Sequence, residues 1–420
     1  MILTSLRVLC VLRGESFFGV YMHSYLTADI PGIGGVIKDA PEDFVVEELP
    51  AYAPSGAGEH CFLTIEKRGI TTLEAIRRLA RRLNVTERDV GYAGMKDAVG
   101  VTRQTISLPR IKPEDVAGRE VDGIRILSAA RHTNKLKLGH LKGNRFRIRV
   151  AGVSSDVAGH VSAILAVLEL RGVPNWFGSQ RYGAQANSHL IGAAMLRGDW
   201  RGAVELLIGE PEAVRDEQWR SAIEAYRRGE IAAALRLMPG HCRSERDVLQ
   251  RLLTARPDGW EKAFSVVHPR LRKLYLSACQ SSLFDRVVES RLTEIDRIMA
   301  GDLAWKHANG ACFLVEDVAA ETQRAAQFEI SATGPMFGCK MTWPAGAPRE
   351  LEQRILAAAG LEVGQFDLGS GLRMEGERRP LRVPLTDVSH RAEAESLVLE
   401  FSLPKGSYAT TVLREITKTF

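Results

Sequence analysis

Between 145 and 150 apolar and basic residues alternate, with Phe146, Ile148 and Val150 separated by Arg145, Arg147 and Arg149. A period of two predicts a strand that packs one face and presents a wholly cationic other. A partner strand is expected over 135–141, joined to it by a tight turn at Gly143-Asn144. Earlier in the chain, the stretch 35–50 reads as two short strands about a turn at Ala40-Pro41-Glu42-Asp43, and 61–65 and 101–108 read as further strands. Between them the period changes. Leu73, Ile76, Leu79, Ala80 and Leu83 recur at three and four after a capping Thr71 or Thr72, and Arg77, Arg78, Arg81 and Arg82 fill the opposite side.

From Asp156 onward helical periods dominate, over 157–170, 188–197, 203–207, 222–228 and 271–292. Short strand-like pieces return after Gly310, and 396–403 is a final strand. It turns at Pro404-Lys405-Gly406 into a helix with Ala409, Val412, Leu413 and Ile416 on one face and a serine cap. The first third therefore reads as α+β and the middle as mainly α. At 420 residues, 45% of them hydrophobic and 25% charged, the chain suits about two globular domains and excludes disorder of the whole.

The apolar first residues are interrupted by Arg7 and are too short to span a bilayer, so a cytoplasmic protein with a poorly structured segment over 1–24 is expected. Cys10, Cys61, Cys242, Cys279, Cys312 and Cys339 are scattered and read as buried, reduced thiols. The net charge of +5 permits a nucleic-acid partner without demanding one. Its distribution says more. No acid lies between Asp122 and Asp156, while Arg125, Arg131, Lys135, Lys137, Lys142, Arg145, Arg147 and Arg149 all do. Like charges on adjacent strands repel unless something neutralises them, and a polyanion would.

Walker and dinucleotide-loop sequences, clustered histidines and a GxSxG elbow are missing, so nucleotide cofactors, metals and a serine nucleophile have little support. The carboxylate that draws attention is Asp97, in the glycine-punctuated loop GYAGMKDAVG. Such an aspartate serves either its own turn or chemistry. Lys96 and Arg103 are near enough in sequence to hold it ionised. A lone carboxylate beside a basic hairpin fits chemistry on RNA.

Five segments in order resemble the TruD family of pseudouridine synthases, which convert a uridine of tRNA, typically at position 13, to pseudouridine. They are VIKDAPEDFVVEE, GYAGMKDAVGVTRQ, HTNKLKLGHLKGNRFRIRV, NWFGSQRYG and LPKGSYATTVLREI. The resemblance implies an α+β fold, in which a mixed-sheet pseudouridine synthase catalytic domain (25–172 plus 390–420) is interrupted by a large, mainly helical α/β insertion, the TRUD domain (173–389). It implies Asp97 as the nucleophile, acting on a base flipped from its stack. Substrate contacts would come from Lys38, Phe44, Arg103, Gln104, Asn144, Phe146 and Tyr408, with Phe146 able to stack on a base. Phosphates would be held by Arg77, Arg81, Lys135, Lys137, Lys142, Arg145, Arg147 and Arg149. It implies tRNA as partner, no cofactor, no metal, no membrane and a monomer. The insertion looks long, which suggests an archaeal-type member, and Trp176 and Tyr182 replace other aromatics of the pattern.

Overall fold

The alternation through 145–150 does form a strand, but a longer one than the turn prediction allows. A computed structural model describes residues 24–37, 40–96, 98–154, 156–256, 258–369 and 371–419. The segment expected to be poorly structured therefore lies outside the described residues except for Ser24, and so do Lys38 and Asp97. The chain divides into two compact units, Tyr25–Val173 with Val383–Phe420, and Pro174–Arg382 with Ser24.

The first unit is built on ten strands: β1 (Val36–Ile37), β2 (Phe44–Pro50), β3 (His60–Arg68), β4 (Gly91–Tyr92), β5 (Val101–Pro109), β6 (Glu120–Val121), β7 (Ile124–His132), β8 (Leu141–Ala151), β9 (Thr386–Glu393) and β10 (Ser396–Pro404). Their order is β9-β10-β8-β2-β5-β3-β7-β6, with β1 on β8 and β4 on β5. The sheet is mixed because β2 and β5 run parallel, pairing Val45 with Val101 and Glu47 with Arg103. The remaining pairs are antiparallel. The chain rejoins this sheet at Thr386, ahead of the return at 390 read from sequence, because β9 pairs with β10 from Thr386 onward.

Gly143-Asn144 is not a turn, and 135–141 is not its partner strand. The β8 strand runs straight through both residues and is flanked by β2 and β10, which pair Asn144 with Glu48 and with Leu403. Glycine is needed at 143 for a different reason: a Cβ there would collide with the Leu403 carbonyl oxygen. One side of β8, with Phe146, Ile148 and Val150, packs with Leu399 and Phe401 of β10 under the helices α2 (Ala158–Arg171) and α3 (Ala409–Thr417). Farther along the sheet Leu63, Ile65, Ile106 and Leu108 pack under α1 (Thr72–Arg82) through Ala75, Ile76, Leu79 and Ala80. Thr71 caps α1 by accepting the Glu74 N–H. Thr72 is thereby freed to turn its hydroxyl inward, while Leu73, expected to pack, is 45% exposed. No serine caps α3; Tyr408 stands at that position and makes no side-chain cap bond.

The second unit is mainly helical, with the 22-residue helix Pro269–Ser290 beside a four-stranded antiparallel sheet of Leu303–Lys306, Cys312–Leu314, Ile330–Met336 and Glu377–Pro380. Its anchor is the segment NWFGSQRYG. The Phe177 N–H donates to one oxygen of Asp285 at 3.0 Å and the Tyr182 hydroxyl to the other at 2.5 Å. Asn175 donates to the Pro380 carbonyl at 2.8 Å, and the Arg379 guanidinium lies 4.4 Å from the centre of the Phe177 ring. Trp176 is buried, so it offers no exposed surface for stacking.

Burial pushes the Asp285 carboxyl up to about 7, against the opposing pull of the Tyr182 and Phe177 hydrogen bonds and of Arg379 and Arg181. A folded-state value above the ordinary 3.8 means that the fold favours the protonated acid. Its stabilising contribution is complete below about pH 4 and is lost as pH rises towards about 7. Asp285→Asn cannot ionise, so its stability relative to wild type is expected to gain about 1.4 kcal/mol per pH unit across that window. Urea denaturation of both proteins at about pH 5 and pH 7 measures this, and a gap that does not change with pH refutes it.

Among the described residues the cysteines are free; Cys61, Cys242 and Cys279 are buried, but Cys312 is exposed, against the expectation of uniform burial. No helix among the described residues is long and apolar enough to cross a membrane.

Candidate active site

The parallel pairing of β2 with β5 ends at Glu47 and Arg103, after which the edge of β5 takes β4 instead, at Ile106 and Ser107. The loop after β4 is fastened at this parting of strands. The Lys96 N–H donates to the Thr72 hydroxyl at 2.8 Å, that hydroxyl donates to Gln104 Oε1 at 2.8 Å, and Gln104 Nε2 returns to the Gly94 carbonyl at 3.3 Å. The Lys96 ammonium lies 3.0 Å from Glu48 Oε2 and donates to Asn144 Oδ1 at 2.8 Å. The other Glu48 oxygen accepts the Thr105 N–H at 3.2 Å. Both charged side chains are buried, 6% exposed for Lys96 and 1% for Glu48. Beyond position 97 Val99 is 53% exposed, whereas Gly100 takes φ +131°, and a Cβ there would strike the Phe44 carbonyl. Both flanks of Asp97 are thus held by groups from β2, β5, β8 and α1.

This arrangement brings together Lys96, Gln104 and Asn144 of the residues read from sequence and adds Glu48 and Thr72, the latter read only as an alternative helix cap. A signal for Glu48 existed, since Phe44, Val46 and Glu48 occupy one side of an alternating strand, and an acid on the buried side needs a partner. Phe44 and Phe146 are buried at 6% each, with ring centres 6.4 Å apart in an edge-on contact, and Phe401 is 5.4 Å from Phe146. Tyr408 is 37% exposed.

Arg103, read from sequence as a support for Asp97, donates to Glu66 at 2.8 Å, and Arg125 joins the same carboxylate. Burial raises the Glu66 carboxyl, but the hydrogen bonds from Arg103 and Arg125 outweigh it and hold the group below its ordinary range.

The arginines of β8 stand on the side of the sheet away from Phe146, each about half exposed. Arg145 lies 3.7 Å from Asp387, Arg147 lies 3.5 Å from Glu400 and Arg149 lies 3.9 Å from Asp43. The acid-free run is therefore neutralised by acids distant in sequence, and the fold does not require a polyanion there. Arg77 and Arg81 are exposed on α1, and Arg77 has Glu74 and Glu87 at 3.8 and 3.9 Å. Lys137 and Lys142 are exposed, and the Lys135 ammonium donates to the Arg88 carbonyl at 2.6 Å.

The family model described as tRNA pseudouridine synthase D (TruD) matches residues 20–416. The tRNA pseudouridine synthase D of Geobacter metallireducens is 68% identical over 394 residues, covering 94% of this chain and 97% of that protein. The Geobacter sulfurreducens protein of the same name is 65% identical, over 94% and 96% of the two chains. A crystal structure of a Methanosarcina mazei protein assigned as tRNA pseudouridine synthase D superposes with a TM-score of 0.82 at 26% identity, covering 96% of this chain and 97% of that one. The high-identity relatives are bacterial and are matched over nearly their whole length, which corrects the archaeal-type reading: the insertion is of ordinary length among them.

Proposed function

Because the chain belongs to the TruD family of tRNA pseudouridine synthases, and is thereby an isomerase acting on tRNA, we propose that its target is the uridine at position 13 and that Asp97 is its nucleophile. The observation that carries this reading is the buried bridge from Lys96 to Glu48 and Asn144, immediately before Asp97. A polar network this deep is costly to build and rigid once satisfied, as a loop that must present one carboxylate accurately requires.

The reaction breaks the N1–C1′ bond, rotates the uracil and forms the C5–C1′ bond. Composition and oxidation state are unchanged, so the balance calls for no redox partner and no cofactor. The base is stacked in the RNA and is turned out to reach the loop, at a cost of a few kcal/mol. Asp97 works ionised, whether it attacks C1′, adds to C6 or removes the C2′ proton. Asn144, with its oxygen taken by Lys96, keeps its amide N–H groups for a uracil carbonyl. Phe44 and Phe146 supply the apolar surface next to the loop, and Lys38 a positive charge.

The unit Tyr25–Val173 with Val383–Phe420 is the catalytic domain in this reading, and Pro174–Arg382 the TRUD insertion. Arg145, Arg147 and Arg149 hold RNA phosphates. Their acidic neighbours do not prevent this, since half-exposed ion pairs are worth about 0–1 kcal/mol and exchange readily for a phosphate. The protein acts in the cytoplasm as a monomer.

The test is incubation of the protein with unmodified tRNA transcripts, followed by carbodiimide treatment and reverse transcription. A stop one nucleotide 3′ of uridine 13 is expected. A stop at a different uridine refutes the assigned target, and no stop at any uridine refutes the activity.

A further inference from the structure

The sheet side that carries Arg145, Arg147 and Arg149 continues through Glu47, Arg103 and Glu66 to Phe62, His60 and His132, as the strand registers require. At that end a depression of about 730 Å³ is lined by Tyr52, His132, Asn134, Lys135, Lys137 and His140 among others, with no carboxylate in its lining. Its volume lies within the range of small-ligand sites, roughly 300–1,000 Å³.

The aromatic surface in it is held in place from several directions. The Tyr52 ring stacks on His132 with centres 5.2 Å apart and planes 18° from parallel, and Phe62 backs His132 at 4.3 Å. The Tyr52 hydroxyl lies 2.8 Å from His140 Nδ1. The Ser55 N–H donates to His132 Nδ1 at 3.1 Å, which leaves Nε2–H as the donor of that ring. Tyr52 nevertheless remains 37% exposed. A fixed, partly open ring beside lysines suits a group that is flat at one end and anionic at the other.

The depression is also tied to the catalytic loop. The Gly139 N–H donates to the Ala93 carbonyl at 2.8 Å, and the Leu136 N–H donates to the Ser107 hydroxyl at 3.0 Å. The segment 133–140, which forms one wall, is thus pinned at Gly139 to the segment that leads into Asp97 and at Leu136 to β5.

We infer that this depression is a subsite for one unstacked nucleotide of the substrate RNA next to the target uridine, its base against Tyr52 and its phosphate at Lys137. The inference rests on the synthase reading for the identity of the RNA. Neither residue touches the reacting base, so both act through RNA affinity and placement.

The experiment measures equilibrium binding and steady-state turnover of a tRNA transcript by the full-length protein. Tyr52→Ala is expected to weaken binding about tenfold, the scale of a lost base–aromatic stack, with KM rising and kcat falling by less than about twofold. Tyr52→Phe keeps the ring and is expected to recover most of that affinity. Lys137→Glu, at an exposed position that folding does not need, is expected to weaken binding and to flatten its salt dependence. Binding by Tyr52→Ala and Lys137→Glu within about twofold of wild type, with pseudouridine still formed, overturns the subsite and leaves the activity standing. Weakened binding by both variants, with no pseudouridine from wild type, supports the nucleotide site and overturns the synthase reading.

Discussion

Asp97→Asn is expected to lower pseudouridine formation by at least about 10³-fold while tRNA affinity stays within about threefold of wild type. The side chain keeps its size and loses its charge, so contacts elsewhere on the RNA are untouched. What disappears, on the proposed mechanism, is the group that attacks the sugar or base, or takes up a proton. The flanks explain why neighbouring groups cannot substitute. Lys96 is buried against Glu48 and Asn144, and Arg103 is bound to Glu66. Single-turnover assays with enzyme in excess, read by carbodiimide mapping, check the rate, and filter binding checks the affinity. A variant that retains a tenth of wild-type activity refutes the role of Asp97.

Glu48→Gln is expected to cost about 3–5 kcal/mol of stability, because it leaves the Lys96 ammonium buried without its counter-charge. The double variant Glu48→Gln/Lys96→Met removes both charges and is expected to regain most of that loss. Activity separates packing from positioning. If the pair only filled space, the double variant would be as active as it is stable. The hydrogen bond from Lys96 to Asn144 and the hold on Gly94–Lys96 are absent from it, so its kcat is expected to remain at least about tenfold below wild type. Urea denaturation and steady-state turnover of the two proteins and wild type provide the comparison, and full activity in a stable double variant refutes the positioning role.

Several local elements were legible because they depend on short-range periods. The alternation of β8, the capped α1, the helix Ser188–Arg197 and the closing β10 and α3 are each dictated by side chains within a few residues. Predictions failed where a distant segment intervened. Gly143-Asn144 has the composition of a turn, and the Leu403 backbone makes it a close crossing within a strand. The basic run had no acid in its own stretch, and Asp43, Asp387 and Glu400 come to it from other strands. Lys96 and Arg103 were near Asp97 in sequence, and their partners Glu48, Asn144 and Glu66 come from other strands. Pairings of this kind depend on strand order, which no window of local sequence contains.

Five ordered segments and their residue types were enough to point to the family of this protein and the class of reaction it catalyses, which the family model and the high-identity relatives show. They also singled out Asp97. The scaffold around it is another matter. That Glu48 and Lys96 form a buried pair, that Thr72 and Gln104 clamp the loop, and that Tyr52 and His132 meet beside Lys137 all follow from strands far apart in the chain becoming neighbours. Burial then decides the outcome. In a site that excludes water, a charge must be paired or it destabilises the fold, and which partner is available is a property of the folded sheet.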